Sequence, residues 1–213
     1  MKHKKALALS FLIIMITSWA VAQDLEKLEI ALPKAQFEGT PRDLKVGNVN
    51  PVAEKDRPPL MVPRGTFNLA QGKPVTASDD EPIIGELEMV TDGDKEAADG
   101  SFVEFGPGVQ WVQVDLGQES EISAVALWHY HREARIYKDV VIQASNDPDF
   151  VSDVQTIFNN DHDNSAGFGL GQSKQEYIED RHGKLADAKG VKARYVRLYS
   201  NGNTSGGSNH YTE

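Results

Sequence analysis

Cysteine is absent from all 213 residues. That excludes a disulfide scaffold, a thiolate zinc site, an iron–sulfur cluster, a thiol nucleophile and a lipid-modified N-terminal cysteine. Basic residues are scarce beside acidic ones, 22 Lys and Arg against 32 Asp and Glu, and they cluster only at the first few positions. A formal charge of -10 without a basic patch argues against a nucleic-acid partner, because phosphate contacts need grouped cations. Apolar runs long enough to span a bilayer are missing after residue 22. Amphipathic helical periodicity and internal repeats are missing as well. What remains is 39% hydrophobic and 25% charged, a composition that supports a globular core rather than bulk disorder. The length suits one domain with appendages.

The chain opens with Lys2, His3, Lys4 and Lys5, then an apolar run from Ala6 to Trp19, then Ala20-Val21-Ala22. A positive start, an apolar stretch shorter than a spanning helix and small residues at a cleavage site make a secretory signal peptide over 1–22. The competing reading is an uncleaved anchor. Cleavage after Ala22 takes away three of the 22 basic residues and none of the acidic ones, leaving a net charge of -13. The product is expected to be secreted, periplasmic or at the cell surface. Its charge suits a neutral ligand, or one bound through a cation.

Six of the ten prolines lie between Pro33 and Pro63. Sparse apolar residues without a period, together with proline, predict an extended arm or linker over 23–66. Leu25, Leu28 and Ile30 could form one helical turn or a strand, and the arm could equally drape over the domain. From Asn68 onward the pattern is two-residue alternation with turn punctuation. Trp111-Val112-Gln113-Val114-Asp115-Leu116 alternates and stops at Gly117. Ile122 to His131, Val140 to Ser145 and Tyr195 to Tyr199 are further β-type runs. Short strands separated by Gly, Asn, Asp and Pro predict an all-β sandwich or barrel. Val112, Val114 and Leu116 share the face that should enter the core. Phe158 to Ser173 is too long for a hairpin turn.

Several segments then appear in a telling order. Asn68-Leu69-Ala70-Gln71-Gly72-Lys73-Pro74, Val90-Thr91-Asp92-Gly93-Asp94, Trp111 to Gly117, Val141 to Asp147, Ala193-Arg194-Tyr195-Val196-Arg197-Leu198 and His210 to Glu213 resemble the landmarks of the discoidin domain, the coagulation factor V/VIII C-type family. The resemblance covers about 68–213. It implies a jelly-roll β-sandwich, galactose-binding-like, over 67–213, of the kind found in bacterial carbohydrate-binding modules. It also implies a binding role without catalysis, through loops at one end. Relatives usually run several residues past the final glutamate, so the closing strand is expected to be clipped at Glu213.

Two sites follow. Asp92, Asp94, Asp99 and Ser101 crowd one loop rich in glycine, and hard oxygens at close spacing suit calcium. The resemblance adds Glu213 from the closing strand, making a structural calcium site of Asp92, Asp94, Asp99, Ser101 and Glu213. The alternative is a solvated acidic turn. For ligand, sugar hydroxyls are read by multidentate donors and acceptors beside an aromatic face. His129, His131, Arg135, Asn160, Asp161, His162, Asn203 and His210 supply the first, and Tyr130, Tyr137 or Phe168 the second. The resemblance assigns a His, an Arg and an Asn to the sugar. The alternative is that these side chains cap turns. Trp111 and Trp128 are expected in the core or at its inner rim.

The function expected from this is recognition of carbohydrate. An envelope-protein interaction module is the second reading. A metal-dependent hydrolase is the third, using His129, His131, Asp161, His162 and Asp163 around zinc or nickel. No G-x-S-x-G or H-E-x-x-H motif supports catalysis.

Overall fold

The computed structural model describes residues 24–37, 39–40, 49–50, 57–172 and 176–213. The signal peptide expected over 1–22, parts of the arm and the end of the 158–173 loop lie outside these residues. No α-helix occurs among the described residues, and none is long and apolar enough to cross a membrane. The fold is all-β, a jelly-roll sandwich.

Two long strands organise it. β6 (Val109–Leu127) and β10 (Lys184–Asn201) run antiparallel from Val109 opposite Asn201 to Leu127 opposite Lys184. Register shifts between Asp187 and Val191 and between Ala193 and Tyr195 interrupt the ladder. Extra residues of this kind bend a strand and increase its twist. β4 (Val75–Ala77), β7 (Val141–Ser145) and β8 (Gln155–Asn159) complete a five-stranded sheet in the order β4-β6-β10-β7-β8. The facing layer contains β5 (Val103–Phe105) paired antiparallel with β11 (Asn209–Tyr211). The alternation read in the sequence sets which side chains lie between the layers. Val112, Val114, Leu116, Ile142 and Leu198 meet Val103, Phe105 and Tyr211 in one core. Burying each large apolar side chain contributes about 1.5–3 kcal/mol.

The opposite face explains the charged motif residues. Arg194 grips Asp115 with Nε and Nη2, both 2.8 Å from a carboxylate oxygen. The guanidinium of Arg197 lies between the rings of Trp111 and Phe150, at 4.1 and 4.2 Å. Trp111 is therefore a half-buried platform for arginine, while Trp128 is buried in the interior. Asn209 ties β11 down by donating to the carbonyls of Gly106 and Gly108 and accepting from the Gly202 N–H. Gly202 is needed there, since its φ is 74° and a Cβ would lie 2.4 Å from the Gly207 carbonyl oxygen.

The arm is partly ordered against the domain. β1 (Leu25–Lys27) pairs antiparallel with β3 (Met61–Pro63), so Leu25 starts a strand and not a helical turn. β2 (Val49–Asn50) runs parallel to β9 (Glu176–Tyr177).

Candidate functional site

The segment 128–139, which follows β6, is the hub of one end of the sandwich. Its backbone is tied on every side. Trp128 N–H donates to Glu213 O at 2.7 Å, and Thr212 N–H donates to Trp128 O at 2.8 Å. Arg135 O accepts from Glu179 N–H, and Ile136 O accepts from Thr204 N–H. These bonds draw the 212–213 segment, the 177–182 segment and the 201–210 turn around the hub.

The two histidines two residues apart part company past the strand end. β6 stops at Leu127, so neither continues its alternation. His129 is fully buried, with Nδ1 2.9 Å from Glu179 Oε2 and its ring stacked on Tyr137 at 4.2 Å. His131, also fully buried, places Nε2 2.7 Å from the Lys95 carbonyl and so donates there. Among the described residues, His129 Nε2, Glu179 Oε1 and Arg135 Nε have no hydrogen-bond partner.

Toward solvent the hub carries an aromatic and cationic group. The Arg135 guanidinium sits 4.3 Å from the Tyr130 ring centre, and its Nη2 donates to Glu133 at 2.9 Å. Phe102 meets Tyr130 edge-on at 5.2 Å and His210 at 5.6 Å. Burial and the positive charge of Arg135 push His210 down to about 4. Glu104 lies 3.7 Å from Nε2. Burial holds the Tyr137 hydroxyl well above its ordinary value, so it stays protonated. It donates to His210 Nδ1 at 3.0 Å. At neutral pH His210 is thus uncharged, with its Nε2–H turned toward the Glu104 side.

Two carboxylate clusters lie beside the hub. In the first, Glu213 Oε2 accepts from Gly93 N–H at 2.9 Å, inside the turn that holds Asp92 and Asp94. Burial, with Asp92 and Asp94 nearby, pushes the Glu213 carboxyl up. Asp99 is fully exposed and 3.9 Å from Arg132, and Ser101 Oγ donates to the Ala98 carbonyl. The second is Asp139, Asp161 and Asp163, with carboxylate oxygens within 4.8 Å of one another. Asp161 accepts from the N–H groups of Asp163, Ser165 and Ala166, and Asp139 from Ser165 Oγ and Asn201 Nδ2.

The F5/8 type C domain family model matches residues 74–213. The chain belongs to that family. No curated protein matches it. Among solved structures, it is similar to the CBM32 of AlyQ in complex with 4,5-unsaturated mannuronic acid, 21% identical over 66% of this chain and 90% of that one, TM-score 0.44. It is similar to chitosan-binding module 1 of a chitosanase/glucanase from Paenibacillus sp. IK-5, 23% identical over 70% and 96%, TM-score 0.46. It is also similar to CpGH89 from Clostridium perfringens, in complex with GlcNAc-alpha-1,4-galactose, 20% identical over 68% of this chain but 14% of that one, TM-score 0.49.

Within this F5/8 type C domain, Arg135 and His210 come together beside Tyr130. Asn160 and Asn203 do not join them. Asn160 is buried and accepts from Val140 N–H, while Asn203 donates to Ser208 O and accepts from Ser205 N–H. Asp161 staples its own loop, and His162 is exposed. Tyr137 is in the core, and Phe168 packs on Tyr199 at 4.1 Å. The histidine–aspartate metal centre is overturned: among the described residues the one metal-like group contains three aspartates and no histidine. His129 and His131 are instead spent on Glu179 and Lys95. Phe102, Glu104 and Glu179 were missed. Glu179 sits in a polar run with no periodic signal, whereas Phe102, two residues after Gly100, could have been found as an apolar residue closing the acidic turn.

Proposed function

We propose that this F5/8 type C domain is an exported, non-catalytic module that binds carbohydrate at the end of the sandwich formed by Phe102, Tyr130, Arg135 and His210. The observation that carries this reading is the Arg135–Tyr130 pair. A nearly buried guanidinium with an unpartnered Nε lies 4.3 Å from an aromatic ring whose residue is half-buried. Fixed planar donors next to an aromatic face are what sugar hydroxyls and ring C–H groups recognise. His210, kept neutral, adds a donor at Nε2 without adding charge.

We assign calcium a structural role on the Asp92–Asp94 turn and Glu213. The residues fit such an ion in one respect that the structure displays: Glu213 is a buried carboxylate facing two further carboxylates, with one backbone N–H as its donor. Bound there, calcium would supply positive charge and oxygen coordination that pin the turn to the 212–213 segment. Asp99 and Ser101, aimed elsewhere, are left out of this set.

The test is a screen of the purified chain against diverse glycans, with and without calcium. Retention of a glycan, reduced at least tenfold in Arg135→Ala and Tyr130→Ala variants of unchanged melting temperature, supports the reading. Capture of no glycan, or release of reducing ends from one, overturns it. Binding of an envelope protein with the same two-variant sensitivity would favour the interaction-module reading instead.

A further inference from the structure

Glu179 is a carboxylate with no exposed surface. Burying such a group is costly unless hydrogen bonds and cations meet it. Its Oε2 lies 2.9 Å from His129 Nδ1. Two half-buried cations also answer its charge, Lys184 from β10 and Arg57 from the arm. Glu179 reaches the exposed group of the hub by two routes. Its N–H donates to Arg135 O at 2.9 Å, in an antiparallel bridge between the two residues. Its carboxylate holds His129, whose ring stacks on Tyr137, and the Tyr137 hydroxyl donates to His210 Nδ1 at 3.0 Å. A shift of Glu179 therefore moves Arg135 through the backbone and His210 through two stacked rings.

Part of what holds Glu179 comes from the arm. β9, two residues ahead of it, pairs among the described residues with one strand, β2 of the arm, Val49 opposite Glu176 and Asn50 opposite Tyr177. Just past Glu179 the chain turns, with Gly183 N–H donating to Asp180 O at 3.0 Å. Two side chains take successive carbonyls of this turn. Trp128 Nε1 donates to Arg181 O at 2.9 Å, and Arg57 Nη2 donates to His182 O. Burial disfavours the Arg57 cation, and Asp180 and Glu179 offset that. The arm thus grips the segment on both sides of Glu179, at 176–177 and at 182. Both grips come from residues ahead of 74, where the family match begins. A two-residue strand pair holds little by itself. A second attachment from the same arm, through a guanidinium facing two carboxylates, restricts the segment far more, and fixing a binding group before its ligand arrives lowers the entropy lost on binding.

Resting on the reading of Arg135 and His210 as the carbohydrate-binding end, we propose that the arm positions that end. Val49–Asn50 and Arg57 fix the 176–182 segment, and Glu179 passes that order to Arg135 and His210. Arg57 is a positioning residue, and the arm is part of the binding unit rather than a tether for it.

The test compares the purified chain with its Arg57→Ala, Arg57→Lys and Arg64→Ala variants. Arg64 pairs with Asp24 and Glu26 of the arm and serves as the control. In Arg57→Ala, hydrogen exchange at the Glu179 amide should quicken at least tenfold and the Arg135 Nε–H resonance should shift. Exchange at the Ile142 and Leu198 core amides should stay within twofold of the parent. Affinity for galactose, the probe sugar in an NMR titration, should fall at least threefold. Arg57→Lys, which keeps a charge and a donor, should restore most of each change, and Arg64→Ala should cause none. Unchanged exchange and resonance in Arg57→Ala, equal changes in Arg64→Ala, quickened exchange throughout the core, or full galactose affinity despite quickened Glu179 exchange would each overturn the proposal. If galactose binds no form of the chain, that failure belongs to the carbohydrate reading. The exchange and Nε–H measurements then decide whether the arm positions Arg135.

Discussion

The two carboxylate clusters look alike in composition and differ in how their oxygens are used. Asp139, Asp161 and Asp163 approach one another most closely, yet neutral donors already meet them. Asp161 alone collects three backbone N–H groups, at 3.3, 3.1 and 2.9 Å. Asp139 Oδ2 takes a hydroxyl and an amide at 2.8 Å each. The Asp92–Asp94 turn with Glu213 is looser, but its buried carboxylate has one backbone donor and two acidic neighbours. By closeness of carboxylates the tight cluster is the candidate cation site, and by deficit of donors the loose one is. The tight cluster staples the 161–166 loop, and the calcium proposed above would go to the loose one.

The largest effect expected from this contrast is in the tight cluster. Asp161→Ala should cost about 3 kcal/mol, because it strips three donors around a fully buried carboxylate. Denaturant melts with and without calcium should show the same loss. A loss that appears only when calcium is present would reverse the roles of the two clusters.

Next in size is calcium itself. At a hundredfold excess over its dissociation constant, a ligand that binds the folded state alone adds about 2.7 kcal/mol. The melting temperature should rise with calcium and fall with chelator, and Glu213→Gln should abolish that response. Asp161→Asn should leave the response intact. Equal loss of the calcium response in both variants would erase the distinction between the clusters.

The strands show what the sequence could announce. The alternation in Trp111–Leu116 named the faces of β6 correctly, because a half-buried strand must repeat every two residues. Arg194 and Arg197 were visible as motif residues, but their partners Asp115, Trp111 and Phe150 come from distant segments. The candidate site was legible in part. Arg135, His210 and Tyr130 were among the residues picked out, since polar and aromatic residues near turns carry that signal. Their surroundings were not legible: His129 looked like a rim residue because the partner that buries it, Glu179, lies 50 positions away with no pattern to mark it. Likewise Asp139 joins Asp161 and Asp163 only because the 160–166 loop packs against the start of β7.

The smallest effect is the most discriminating, because the two clusters should answer acid with opposite signs. Glu213 has its carboxyl pushed above 4.5, chiefly by burial. The folded state then binds the proton more readily than the unfolded one, so without calcium the stability from this group is greatest below 4.5 and is lost as pH rises through the higher folded value. Asp163 is shifted below 3.8, first by its hydrogen bond with the Ser165 side chain and next by the Ser165 N–H. Its contribution is present above 3.8 and is lost as pH falls through the lower folded value. Carbon-detected NMR titration of the two carboxyl carbons in the calcium-free chain should find Glu213 above its ordinary midpoint and Asp163 below. Added calcium should pull Glu213 down, because the ion favours the carboxylate, and should leave Asp163 where it was. A calcium-dependent shift at Asp163 with none at Glu213 would place the cation in the tight cluster after all.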